Sequence, residues 1–209
     1  RTQVASAQYL REMQATWVFH ACTPQFLGQI VLAVRERYVM PGEPLFFQGE
    51  GATELLWCVG GTLYVKNGSE TVATILADLG PGQVVGELAF FLGIHQPYTV
   101  VASSSGFVTL LALTVSEYEN IIASYPEQAD AITSNLLRKY GLDKNGNDIM
   151  GGVNAAAGGA AGETPEAEGE EEELKERIRQ TISERNQTML TSICAAAMQG
   201  DVETVRALG

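Results

Sequence analysis

The stretch Val85-Gly86-Glu87-Leu88-Ala89-Phe90-Phe91, followed by Gln96-Pro97-Tyr98-Thr99-Val100, decides how this chain is read. It couples a glycine–glutamate–apolar–small turn to a return strand. Glycine lets the backbone reverse sharply, and a glutamate in such a place is also a favourable partner for the positive end of a helix. Gln96 is followed by Pro97, which has no N–H to donate. Tyr98 either fills space beside that turn or sits half-exposed on the strand.

Outward from this stretch, the segment from Tyr38 to about Leu113 consists of short apolar runs. Glycine-bearing turns separate them: Pro41-Gly42, Gly49-Glu50-Gly51, Gly60-Gly61, Asn67-Gly68 and Gly80-Pro81-Gly82. Regular spacing of Val-, Leu-, Phe- and Thr-rich runs predicts a β sandwich or barrel. Asn67-Gly68, between Leu63-Tyr64-Val65 and Val72-Ala73-Thr74-Ile75, predicts a hairpin. Both flanks change to helical spacing. Leu10, Met13, Trp17 and Val18 predict an amphipathic helix over 8–19. Thr23-Pro24 opens a second helix with Phe26, Leu27, Ile30, Val31 and Val34 on its apolar face. After Leu113, Val115, Tyr118, Ile121 and Ile122 form one stripe, and Ala129, Ile132, Leu136 and Leu137 another, with Pro126 between.

The remainder is of different composition. Residues 141–162 are rich in Gly, Ala and Asn and predict a flexible linker. The glutamate run Glu163 to Glu173 extends it as a solvated spacer. Leu174, Ile178, Ile182 and Met189 share one face of a further helix, which must pack on something or join subunits. Ser192 to Gly209 reads as helix, glycine-centred turn, helix.

Bulk composition narrows function. The net charge is −12, and residues 141–209 hold 13 acids against 6 bases. With no basic stripe, nucleic acid is not an expected partner, because phosphate contacts need Lys and Arg. Three scattered cysteines, Cys22, Cys58 and Cys194, suit a reducing compartment and form no disulfide framework or zinc motif. The histidines His20 and His95 lie far apart, and no metal site is expected. Glu43, Glu50 and Glu87 are turn acids without an acid–base pairing, so no enzyme is expected. No apolar run of about 20 residues is present. The sequence is expected to be a soluble piece of a longer protein.

Three ordered blocks carry a family resemblance: Val39-Met40-Pro41-Gly42-Glu43 through Gln48-Gly49-Glu50, Leu55-Leu56-Trp57-Cys58-Val59 with Gly61-Thr62-Leu63, and Gly80 with Gly82 and Gly86-Glu87-Leu88-Ala89. Over roughly residues 24–140 the chain resembles the cyclic nucleotide-binding domain family. That resemblance implies an α+β fold: a mainly antiparallel, jelly-roll-like β roll flanked by N- and C-terminal helices, then linker and helical tail. It also implies a short helix at Gly86-Glu87-Leu88-Ala89 whose N–H groups face a cyclic phosphate, with Glu87 accepting from the ribose hydroxyl. The family places a phosphate-binding arginine ten residues after the glycine, where this chain has Gln96. The pocket Gly86, Glu87, Leu88, Ala89, Gln96, Pro97, Tyr98 and Thr99 is therefore expected to be vestigial or weak. No cofactor is expected, with cAMP or cGMP disfavoured occupants.

Ile94-His95-Gln96-Pro97-Tyr98-Thr99-Val100 further resembles the matching run of plant-type, Shaker-like voltage-gated potassium channels, which tend to have proline where His95 stands. Ala195-Ala196, Gly200-Asp201, Val205 and Leu208 resemble the first unit of an ankyrin array. This implies the end of a pore-to-domain linker at 1–23, the nucleotide-type domain at 24–140, a linker at 141–173, and a helix with the start of an ankyrin-like repeat at 174–209. Other channel subunits, in a tetramer, become the implied partners, with further protein partners at the ankyrin end. The place is the cytoplasmic side of a membrane, reached only through the parent channel. The alternative is a working cAMP or cGMP receptor domain of a channel or of a kinase-type regulator.

Overall fold

The computed structural model describes residues 2–67, 74–149 and 165–199. Among the described residues, helix α1 (Thr2–Ala15), a 3-10 turn (Trp17–Phe19) and α2 (Pro24–Ala33) lead into eight strands. Strands β1 (Arg35–Val39), β8 (Val108–Thr114), β3 (Glu54–Gly60) and β6 (Val84–Val85) lie side by side in one sheet. A second sheet holds β2 (Pro44–Phe46), β7 (Thr99–Ala102), β4 (Leu63–Asn67) and β5 (Thr74–Leu79), in that order. Every pairing is antiparallel. Helix α3 (Glu87–Leu92) interrupts the strands between β6 and β7, and α4 (Val115–Ile122), α5 (Pro126–Lys139) and α6 (Pro165–Gln199) follow them. The expected α+β roll between helices is what forms.

The strand β3 explains why the layers stack as they do. Leu55, Leu56, Trp57 and Cys58 are each 2% exposed or less, because both faces of this strand are covered. Leu56 and Cys58 point into the roll with Val39, Phe46, Leu63, Val100 and Leu110. Leu55 and Trp57 point the other way, onto Phe19, Phe26, Ile30 and Leu113 beneath the helices. A strand buried on both sides reads as a continuous apolar run rather than as an alternation. Gly61 has to be glycine: at φ +90 an added Cβ would come within 2.8 Å of the Phe107 carbonyl oxygen.

Local signals set the helix ends. The Thr23 hydroxyl accepts from the Phe26 N–H and Pro24 takes the first helical position. Thr114 and Glu117 form a reciprocal capping box at α4. The helix expected over 8–19 stops at Ala15, because Thr16 turns extended (φ −73, ψ 125) and hands the chain to the 3-10 turn. Asn67 pairs with Thr74, so β4 and β5 do form a hairpin, whose connection at 68–73 lies outside the described residues.

The tail differs from the expectation. A spacer was expected to reach residue 173, but α6 already opens at Pro165 and runs unbroken to Gln199. Proline suits a first helical turn, and glutamates there complement the positive helix end. Lys175 pairs with Glu171 one turn earlier at 2.7 Å, adding support. Leu174, Ile178 and Ile182 are buried against Leu88, Leu92, Ile94, Leu136 and Leu142, whereas Met189 is 45% exposed. The helix–turn–helix expected over 192–209 thus begins inside α6, and its part from Gly200 onward lies outside the described residues. Among the described residues no helix is long and apolar enough to cross a membrane.

Candidate functional site

Gly86 positions the site. It caps α3 in the left-handed region (φ 86, ψ 5), and an added Cβ would stand 3.0 Å from the Phe46 ring. This turn swings Glu87 and Leu88 over the open end of the roll. There they border a cleft of about 580 Å3, counting its mouth, between β4, β6 and the end of α5. Gly86, Glu87, Leu88, Gln96, Pro97 and Tyr98 all line this cleft. Ala89 does not; within α3 it is buried at 1% exposure. Thr99 is also absent from the wall, and its hydroxyl instead accepts from the Gln48 N–H at 3.1 Å.

Gln96 is held by its backbone. Its N–H donates to the Glu50 carbonyl at 2.7 Å, and its carbonyl accepts from Gly49 at 2.9 Å. The turn between β2 and β3 therefore sets the depth at which this side chain enters. Gln96 is 3% exposed, and its Nε2 has no hydrogen-bond partner. A buried amide donor without an acceptor costs stability and marks a place where a ligand or water acceptor belongs.

Glu87 is engaged. Lys139 Nζ, from the last turn of α5, donates to Glu87 Oε1 at 3.1 Å. Burial pushes the Tyr140 hydroxyl well above its ordinary range, and the Glu87 charge adds to that, so it stays a donor. The ion pair places the anion at the start of α3 and the cation at the end of α5, where each helix dipole favours it. Lys139 also stands 4.3 Å from the Trp17 ring centroid, within cation–π range.

Lys139 and Tyr140 were not singled out from the sequence. They lie 52 and 53 positions from Glu87, and a basic residue at a helix end reads as an ordinary dipole partner. The only signal was Lys139-Tyr140-Gly141 itself, a cation and an aromatic at a helix stop. Among the described residues no group of three or more His, Cys, Asp or Glu side chains could hold a metal ion.

This geometry, a two-sheet antiparallel roll with a glycine-capped helix facing a small cleft, defines a class, and comparison with known proteins agrees. The cyclic nucleotide-binding domain family matches over residues 36–125. The relatives the chain matches include potassium channels. The rice (Oryza sativa subsp. japonica) potassium channel KOR2 is 30% identical over 75% of this chain and 24% of its own length. The Arabidopsis thaliana potassium channel SKOR is 29% identical over 66% of this chain and 16% of its length. A cyclic nucleotide-gated potassium channel of Mesorhizobium japonicum is 28% identical over 69% and 38%. The chain thus spans a minor part of each relative. The regulatory domain of Toxoplasma gondii PKA, solved with cAMP, shares the fold with a TM-score of 0.55 at 20% identity, over 72% of this chain and 54% of its own.

Proposed function

We propose that this chain is a regulatory and assembly portion of a voltage-gated potassium channel, and that its cleft binds cyclic nucleotides weakly or not at all. One observation carries the reading: Glu87 is already paired with Lys139, and the position that would meet the phosphate is the neutral Gln96. A hydrogen bond to a charged group contributes about 1.5–3 kcal/mol, against about 0.5–1.5 for a neutral one. Loss of about 1.4 kcal/mol weakens binding tenfold. A ligand here forgoes the charged bond and must also compete for Glu87. The domain then acts without catalysis, on the cytoplasmic side of a membrane, through contacts with other subunits. In this reading residues 1–23 end a pore linker, 24–140 are the nucleotide-type domain, and 174–209 hold a helix and the start of an ankyrin-like repeat with its own protein partners.

Calorimetric titration of the chain with cAMP and with cGMP tests the pocket. Millimolar or undetectable binding is expected, and a dissociation constant in the low micromolar range overturns the reading. A second reading, a working cAMP or cGMP receptor, is favoured by the unpartnered Gln96 Nε2, which offers a ligand one buried donor. The same titration decides between the two.

A further inference from the structure

We infer that Lys139 is a built-in competitor for the cleft and the mechanical link from the cleft to the N-terminal turn: held by Glu87, it clasps Trp17, and whatever takes Glu87 releases both. The inference rests on the reading of the cleft as a regulatory site and deepens it. Lys139 is mostly buried, with 19% of its side chain exposed, and Glu87 has 11%. Its ammonium faces Glu87 Oε1 on one side and the Trp17 ring on another, with the Tyr140 ring 5.7 Å away. A charge this buried keeps its place only while its partners stay, because an unpaired buried cation is costly. A ligand that draws Glu87 away from the ammonium leaves the lysine without the anion that holds it over the indole.

Trp17 is well placed to report that loss. It packs at the margin of both the core under α1 and α2 and the core under α3, α5 and α6. The turn it opens is tied to α5 by Asn135, whose Nδ2 donates to the Val18 carbonyl at 3.2 Å and the His20 carbonyl at 2.6 Å. Lys139 is therefore the place where the state of the cleft meets the turn between α1 and α2. Coupling through such a chain requires that both ends bias one shared element, and here that element is a single side chain.

Fluorine NMR of the whole chain with 5-fluorotryptophan tests this without any nucleotide. The two tryptophans give two lines, assigned with Trp17→Phe. Glu87→Gln, which removes the anion but keeps the shape, is expected to shift the Trp17 line and leave that of Trp57 in place. With Lys139→Met, which keeps an apolar stem over the indole, adding Glu87→Gln is expected to cause no further shift. A Trp17 line indifferent to Glu87→Gln overturns the inference, as does an equal shift in the Lys139→Met background. Displacement of the Trp57 line as well means general loosening and overturns it too. Because the experiment uses no ligand, its outcome is independent of whether cAMP or cGMP binds in calorimetry.

Discussion

At Gln96 a single functional group separates a weak cleft from a strong one. Its backbone is pinned on both sides by the Gly49-Glu50 turn, so a longer side chain there would enter the cleft at the same depth. Gln96→Arg would exchange a neutral donor for a forked cation suited to phosphate. The expected outcome is a gain of about tenfold or more in cAMP affinity, from the difference between neutral and charged hydrogen bonds. Calorimetry on the variant checks it, and unchanged affinity would mean that Lys139, rather than Gln96, limits binding. Gly86 sets the opposite kind of constraint. Gly86→Ala places a methyl group 3.0 Å from the Phe46 ring in a left-handed backbone. A loss of about 1–3 kcal/mol is expected for such strain, read from the midpoint of urea unfolding.

Among the elements, α6 depends most on its packing. Its buried stripe ends at Ile182, and two arginines reach past it to backbone oxygens. Arg177 donates to the His95 carbonyl and Arg185 to the Phe91 carbonyl, each at 3.2 Å. These bonds fasten α6 to the end of α3 and to the approach to Gln96. Ile178, at 0% exposure, is the centre of the contact. Ile178→Ala is expected to cost about 2–5 kcal/mol, appearing as faster hydrogen exchange in 171–185 with the strands unaffected. Equal acceleration in β3 and β8 would mean that helix and roll unfold as one unit. The sequence made such elements legible to different degrees. Strands β3 to β8 could be read because glycine turns punctuate them, and the stripe Leu174-Ile178-Ile182 could be read from its spacing. The start of α6 at Pro165 was hidden because a glutamate run looks the same solvated or in the first turns of a helix. The Glu87–Lys139 pair was hidden because it is a contact between elements, and only the packing of α5 on α3 brings its partners together.

Across the whole molecule, the helical core beneath the first sheet holds groups that resist ionisation, and this makes stability depend on alkaline pH. Burial pushes the Cys22 thiol up to about 11 and the Tyr118 hydroxyl up to about 12, with the nearby Cys22 adding to the latter. Tyr118 packs on both Phe90 and Phe91, with ring centroids 5.3 Å away in each case. Unfolded, these groups titrate near 9 and 10. Between the unfolded and folded values the native state holds more protons than the unfolded state, so stability falls as pH rises. The contribution is complete below pH 9 and is lost progressively toward pH 12. Urea unfolding at steps from pH 8 to 11 is expected to give a flat midpoint first and a falling one above pH 9. Tyr118→Phe, which cannot ionise and keeps the ring contacts, should flatten the decline above pH 10 while leaving the midpoint at pH 8 nearly unchanged. A decline just as steep in that variant would assign the alkaline loss to groups elsewhere, with Tyr140 beside Glu87 the next to replace, because burial raises it as well.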